Sequence, residues 1–216
     1  MKKSLLVAAV ALSALFAGSA AMAQDKGSLS YNLELTNNYV WRGVSQTNGN
    51  AALQGGIDYK KGMFYAGTWL SNVDFVAPKG ENANTEADLY LGITPTVGNW
   101  SYDFGVIYYT YPSADSATTG ELKAAVSHPM GKGSIGVAMY LPTETLEKPY
   151  YEVNASYPLS SKWSVSGAIA NYESAGYTTW NAGVTYALTD HLALDLRYSE
   201  AEKMPNNLYA TLKASF

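Results

Sequence analysis

The chain has no cysteine and only two histidines among its 216 residues. The first absence removes disulfides and thiolate chemistry. The second leaves His128 and His191 as the whole supply of imidazole. No group of side chains has metal-ligand spacing and no glycine-rich loop precedes a helix, so no metal and no cofactor are expected. Basic residues form no patch in an acidic chain, which argues against a nucleic-acid partner. Beyond the amino-terminal segment there is no apolar run of the roughly 18 residues that a membrane helix needs. Such a chain enters lipid only as a closed barrel, because helices and closed barrels alone satisfy every backbone group there.

What is present begins with an export signal. Lys2 and Lys3 form a basic start, Leu5–Phe16 an apolar core, and Ala21-Met22-Ala23 a small-x-small cleavage site. Residues 1–23 therefore read as a secretory signal peptide, too short to count as a membrane span in the mature protein. Cleavage is expected after Ala23, leaving residues 24–216 as one domain. Losing Lys2 and Lys3 takes the basic count from 14 to 12, against 18 acidic residues. Tyrosine is in excess, at 18 residues, which suits a protein that passes through two membrane–water interfaces.

The last stretch, Leu208–Phe216, sets the pattern for the rest. Leu208, Ala210, Leu212, Ala214 and Phe216 share one side of an extended chain, and Tyr209, Thr211, Lys213 and Ser215 take the other. A period of two gives one apolar and one polar face. Ending such a run on an aromatic residue looks like the carboxyl-terminal signal of bacterial outer-membrane barrels. An ordinary amphipathic strand of a soluble sheet has the same local pattern, so recurrence decides.

The pattern recurs. A first run from Leu29 continues through Tyr39 to Trp41, and the others are Leu53–Tyr59, Met63–Val73, Ala87–Pro95, Trp100–Tyr111, Glu121–His128, Ser134–Leu141, Tyr151–Tyr157, Trp163–Ala170, Thr178–Leu188 and Leu192–Ser199. With the last stretch they make twelve. Met63–Val73 has apolar residues on both faces and an ambiguous register. Connections after even-numbered runs are short turns; those after odd-numbered runs are longer and polar, as at 44–50, 74–85 and 112–120. An even strand count with short periplasmic turns and longer extracellular loops matches an all-β, antiparallel transmembrane β-barrel of the outer membrane.

On that reading Glu34, Asp58, Asp88, Asp103, Glu121, Glu152 and Asp195 point into the barrel, with Arg42, Lys123, Arg197 and Lys213. These eleven residues are the expected pore lining. Tyr90, Tyr109, Tyr140 and Tyr209 join them. Tyr39 and Trp41 are expected to face lipid near the outer interface, where half-polar rings settle. Arg42 either addresses solutes at the rim or pairs with a wall carboxylate and braces the barrel. A lumen lined by both signs is either a hydrated pore or a wall of salt bridges. His128 ends its run beside Pro129 at a predicted periplasmic turn and His191 lies in another turn, neither facing a serine at mid-wall, so no hydrolase site is expected.

One segment resembles a known family. Asn38-Tyr39-Val40-Trp41-Arg42-Gly43-Val44-Ser45-Gln46-Thr47 is similar to the opening of the TorF family of porin-like proteins, as are Ala51–Tyr59 and Phe64–Phe75. The match is dense from about Asn32 to Phe75; beyond it only the strand alternation and Phe216 agree. The resemblance implies a bacterial outer-membrane barrel with a channel role, and brings neither a substrate nor catalytic residues. The expected function is a porin-like channel for passive diffusion of small polar solutes or ions, weakly cation-preferring and not an enzyme. The alternative is a non-conducting structural or adhesive barrel whose extracellular loops bind a ligand. Its expected partners are outer-membrane lipid, the solutes or ions themselves, and the periplasmic chaperones and barrel-assembly machinery that insert such proteins.

Overall fold

The alternation of the sequence becomes a wall. The computed structural model describes residues 26–216; the expected signal peptide and its cleavage site after Ala23 lie outside the described residues. The strands are β1 (Ser28–Thr36), β2 (Val40–Trp41), β3 (Val44–Ser45), β4 (Ala52–Lys61), β5 (Phe64–Val76), β6 (Asn82–Ile93), β7 (Thr96–Val97), β8 (Trp100–Thr110), β9 (Thr119–Met130), β10 (Gly133–Pro142), β11 (Tyr150–Pro158), β12 (Trp163–Tyr172), β13 (Tyr177–Ala187), β14 (Leu192–Ala201) and β15 (Asn207–Ser215). Twelve are long. Each pairs antiparallel with its sequence neighbour, β6 pairs with β8, and β1 pairs with β15 to close the barrel. At the seam Tyr31 and Phe216 exchange both backbone hydrogen bonds, at 3.0 and 2.9 Å.

Side chains sort by parity. Leu29, Tyr31, Leu33 and Leu35 of β1 stand on the outside, and so do Leu194 and Leu196 of β14 and Leu208 and Leu212 of β15. Thr36, Gln54, Asp195, Arg197 and Lys213 are buried inside. A barrel that wears its apolar residues outward is suited to hydrocarbon, with no sheet edge left to satisfy. Aromatics mark both rims of the outer surface. Trp100 lies on His128 and Trp163 on Tyr186 near the short turns, and Trp180 lies on Tyr198 near the loops. Two such girdles are what a barrel presents to two lipid interfaces.

Four local expectations change. The first strand stops at Thr36, and the segment through Tyr39 and Trp41 leaves the wall to form the separate hairpin β2–β3. Tyr39 and Trp41 consequently face inward: Tyr39 is buried and Trp41 is half-buried. The expected loop at 74–85 is mostly strand, because β5 and β6 stay paired past a bulge between Asn72 and Phe75. Strand β9 runs on to Met130, two residues past His128, where the turn was expected. The ambiguous run Met63–Val73 resolves with Trp69, Ser71 and Val73 buried inside and Phe64 and Leu70 outside.

Candidate functional site

The interior is where the polar residues meet, and the hairpin β2–β3 organises its loop end. Val40 pairs with Ser45 and Trp41 with Val44. Between them Arg42 and Gly43 both have positive φ, 49° and 87°, as a two-residue type I′ turn requires. Glycine is needed here for space as well: a Cβ on Gly43 would lie 2.5 Å from the Thr179 hydroxyl. The hairpin therefore crosses the lumen with its tip against β13 and β14. Tyr177 Oη donates to the Arg42 carbonyl at 3.1 Å, and Asn207 Nδ2 donates to the Gly43 carbonyl at 3.1 Å.

From the tip the Arg42 side chain reaches across to β9. Its two terminal nitrogens each donate at 2.7 Å to one oxygen of Glu121, a planar bidentate match. Both side chains are nearly sealed from solvent, at 6% and 4%. Tyr109 Oη donates to the same carboxylate at 3.1 Å. The guanidinium lies over the rings of Tyr150, Trp41, Tyr172 and Tyr140, at 4.0, 4.2, 4.8 and 5.2 Å. Ring faces attract cations, most strongly where water is excluded. Arg42 thus pairs with a wall carboxylate, the contact that a bracing role requires.

Beside this box, Tyr39 packs edge-on against Trp69 with centroids 5.5 Å apart. Next to them β6 carries Glu86 and Asp88, both buried. Tyr111 Oη donates to Glu86 at 2.9 Å, while the other Glu86 oxygen and both Asp88 oxygens have no hydrogen-bond partner among the described residues.

Toward the turn end the charges are wired to the wall. Lys123 lies 2.5 Å from Asp103, which also accepts from Tyr65 at 2.8 Å. Tyr90 donates to Asp58 at 2.7 Å. Arg197 holds both Asp195 oxygens at 3.2 Å and reaches Asn181 and Ser166 at 2.6 and 2.7 Å. Glu34 stands in register with Lys213 across the seam. Glu152 accepts from Tyr150 and Asn154 at 3.0 and 2.9 Å.

Of the eleven residues expected to line the pore, Asp88, Glu121, Asp195, Arg197 and Lys213 are buried, and the contacts of the set fall in distinct clusters rather than in one site. Sequence reasoning missed Glu86, which shares a face with Asp88 two residues on; starting the strand at Ala87 hid it. It also missed the inward tyrosines Tyr65, Tyr111, Tyr150 and Tyr177. The imidazoles of His128 and His191 hydrogen-bond only to the backbone carbonyls of Pro129 and Ser215 among the described residues.

Residues 20–215 match the profile of a family described as bacterial proteins of unknown function, Gcw_chp. The chain belongs to this family. No curated protein sequence matches it. Among solved structures, the KdgM porin superposes with a TM-score of 0.62 at 9% identity, covering 88% of this chain and 99% of that one. A second KdgM structure, in complex with disordered oligogalacturonate, superposes at 0.54 with 8% identity, covering 88% and 96%. The NanC porin superposes at 0.51 with 8% identity, covering 87% and 98%. An active-site mutant of outer membrane phospholipase A from Escherichia coli superposes at 0.50 with 12% identity, covering 87% and 89%. Identities this low establish a shared outer-membrane barrel fold, and a fold hosts more than one activity.

Proposed function

We propose that the protein is a narrow channel of the bacterial outer membrane, passing small polar solutes or ions by passive diffusion with a modest preference for cations. The observation that carries this reading is a polar, charge-lined interior inside an apolar exterior, crossed near the loop end by the Arg42 hairpin. Twelve strands lie between filled eight-stranded barrels and open sixteen-stranded porins, so the solutes are small. The TorF resemblance of Asn38–Phe75 supports the same class. The expected pore lining keeps its proposed role, with Arg42 and Glu121 setting the constriction and the lower clusters the electrostatics. The loop end faces the outside, both ends of the mature chain the periplasm. Oligogalacturonate in the KdgM complex makes sugar acids and their oligomers reasonable solutes to try after simple salts. Lipid, chaperones and the barrel-assembly machinery are the remaining proposed partners.

The hairpin itself favours a second reading, a non-conducting barrel closed by its own first loop. Planar-bilayer recording of the purified mature protein separates the two. The channel reading expects discrete conductance steps from the wild type. Silence from the wild type together with steps after deletion of residues 38–50 would establish the closed barrel, and silence from both would remove the channel altogether.

A further inference from the structure

Glu86 and Asp88 lie on one strand with one residue between them, so both side chains leave the same face with their Cα atoms about 7 Å apart. They are 3% and 1% exposed. Three of their four carboxylate oxygens have no hydrogen-bond partner among the described residues. The cations of the interior clusters are committed elsewhere: Arg42 gives both terminal nitrogens to Glu121. Lys123 and Arg197 are likewise held by Asp103 and Asp195. Two sealed carboxylates without a counter-charge are unstable neighbours, and a buried charge is tolerated where it is paired or coordinates a metal.

We propose that Glu86 and Asp88 form a binding site for a divalent cation, with calcium the best fit. Two carboxylates neutralise one divalent ion, whereas a monovalent ion leaves an unpaired charge behind. The donors available are all oxygens, as hard cations prefer, and calcium accepts an irregular oxygen set that magnesium does not. The site has a structural consequence. Tyr39, at the root of the crossing hairpin, lies close enough to both carboxylates to interact with them and packs on Trp69. Filling the site neutralises the wall beneath Tyr39 and so pins the hairpin to β5 and β6. The inference does not rest on the channel reading, because binding is read without conduction.

The test uses the purified mature barrel in detergent, stripped with EDTA and titrated with terbium chloride. Trp69, Tyr39 and Tyr111 surround the carboxylates, so ultraviolet excitation should produce saturable terbium luminescence. Calcium chloride should quench that luminescence by competition, magnesium less effectively and sodium only at high concentration. Asp88→Asn and Glu86→Gln should each weaken terbium binding by roughly tenfold or more, as affinity follows ligand charge. Asp74→Asn, on the exposed face nearby, should leave it unchanged. In parallel, calcium should raise the unfolding midpoint of the wild type in proportion to the logarithm of its excess over Kd. The same rise should vanish in Asp88→Asn. Absence of saturable luminescence, or its survival in both neutralised variants, overturns the proposal. So does a wild-type midpoint that ignores calcium but falls as pH rises, because the pair would then be sharing a proton.

Discussion

At the scale of single residues, the decisive contacts are those that an inward-facing strand has room to make only because its neighbour is small. Gly67 on β5 is such a place: a Cβ there would come within 2.5 Å of the Tyr90 ring, which covers it on the way to Asp58. Gly67→Val should therefore push Tyr90 off Asp58 at a cost of about 1–3 kcal/mol, the usual range for overpacking a filled core. Thermal unfolding in detergent, read as loss of heat-modifiable gel migration, measures it; an unchanged midpoint would mean the ring does not need the glycine. Arg42 offers a larger effect. Arg42→Ala leaves Glu121 buried and uncompensated, which typically costs 3–5 kcal/mol, or about as much as a small protein can lose. Adding Glu121→Gln should restore most of that loss, since it removes the stranded charge. Failure of the second substitution to rescue would show that the aromatic box around the guanidinium, not the ion pair, holds the hairpin.

At the scale of elements, the wall was legible in the sequence and the hairpin was not, for one physical reason. A wall strand has lipid on one side and lumen on the other, so polarity alternates along it and the register can be read residue by residue. The hairpin β2–β3 has lumen on both sides. Tyr39 and Trp41 continue the alternation of β1 in letters, yet no lipid lies beside them. The Arg42-Gly43 turn between apolar residues was the available signal. Glu86 was missed for a lesser reason, that strand ends are blurred where β5 and β6 rise above the rest. The element reading still predicts topology. Tags inserted at Asn48-Gly49 or Lys79-Gly80, both in exposed turns, should be reachable on intact cells; tags at Lys61-Gly62 or Gly131-Lys132 should not. The opposite labelling pattern would invert the barrel. The loop between β10 and β11 adds a pH dependence. Desolvation works against the Glu144 carboxylate, but hydrogen bonds from the Glu144 and Gly120 amides and from Thr119 and Thr143 outweigh it and hold its pKa below the usual range. A lowered pKa contributes order that is complete above the ordinary carboxylate range and lost as pH falls through the folded value. The protection factor of the Gly120 amide should drop on acidification, and Glu144→Gln should flatten that dependence; an identical pH profile in the variant would sever the link.

For the whole molecule, the balance of charge in the lumen decides what it favours. Glu86 joins the seven acids expected from the sequence, and Lys60, two residues past Asp58 on β4 and opposite the inward Tyr65, joins the four bases. Arg42, Lys123 and Arg197 are spent on Glu121, Asp103 and Asp195, and Lys213 faces Glu34 across the seam. Among the described residues Glu152 and the Glu86–Asp88 pair take part in no ion pair, and at the loop end Glu81, Asp115, Glu144, Glu147, Glu173 and Glu202 outnumber Lys79, Lys148 and Lys203. A cleft of one sign with low-dielectric walls concentrates counter-ions. Reversal potentials across a potassium chloride gradient should accordingly favour cations at low salt. The preference should fade as the screening length shrinks from about 30 Å at 0.01 M to about 3 Å at 1 M. Glu34→Gln, Asp103→Asn and Glu152→Gln together should move the reversal potential toward the anion side, since the first and second free Lys213 and Lys123 from their partners. Calcium at low concentration should shift it in the same direction if Glu86 and Asp88 hold a divalent ion, and should have no such effect on Asp88→Asn. An anion-selective potential in the wild type at low salt would overturn the charge argument, because no rearrangement of paired residues makes an excess of carboxylates attract anions.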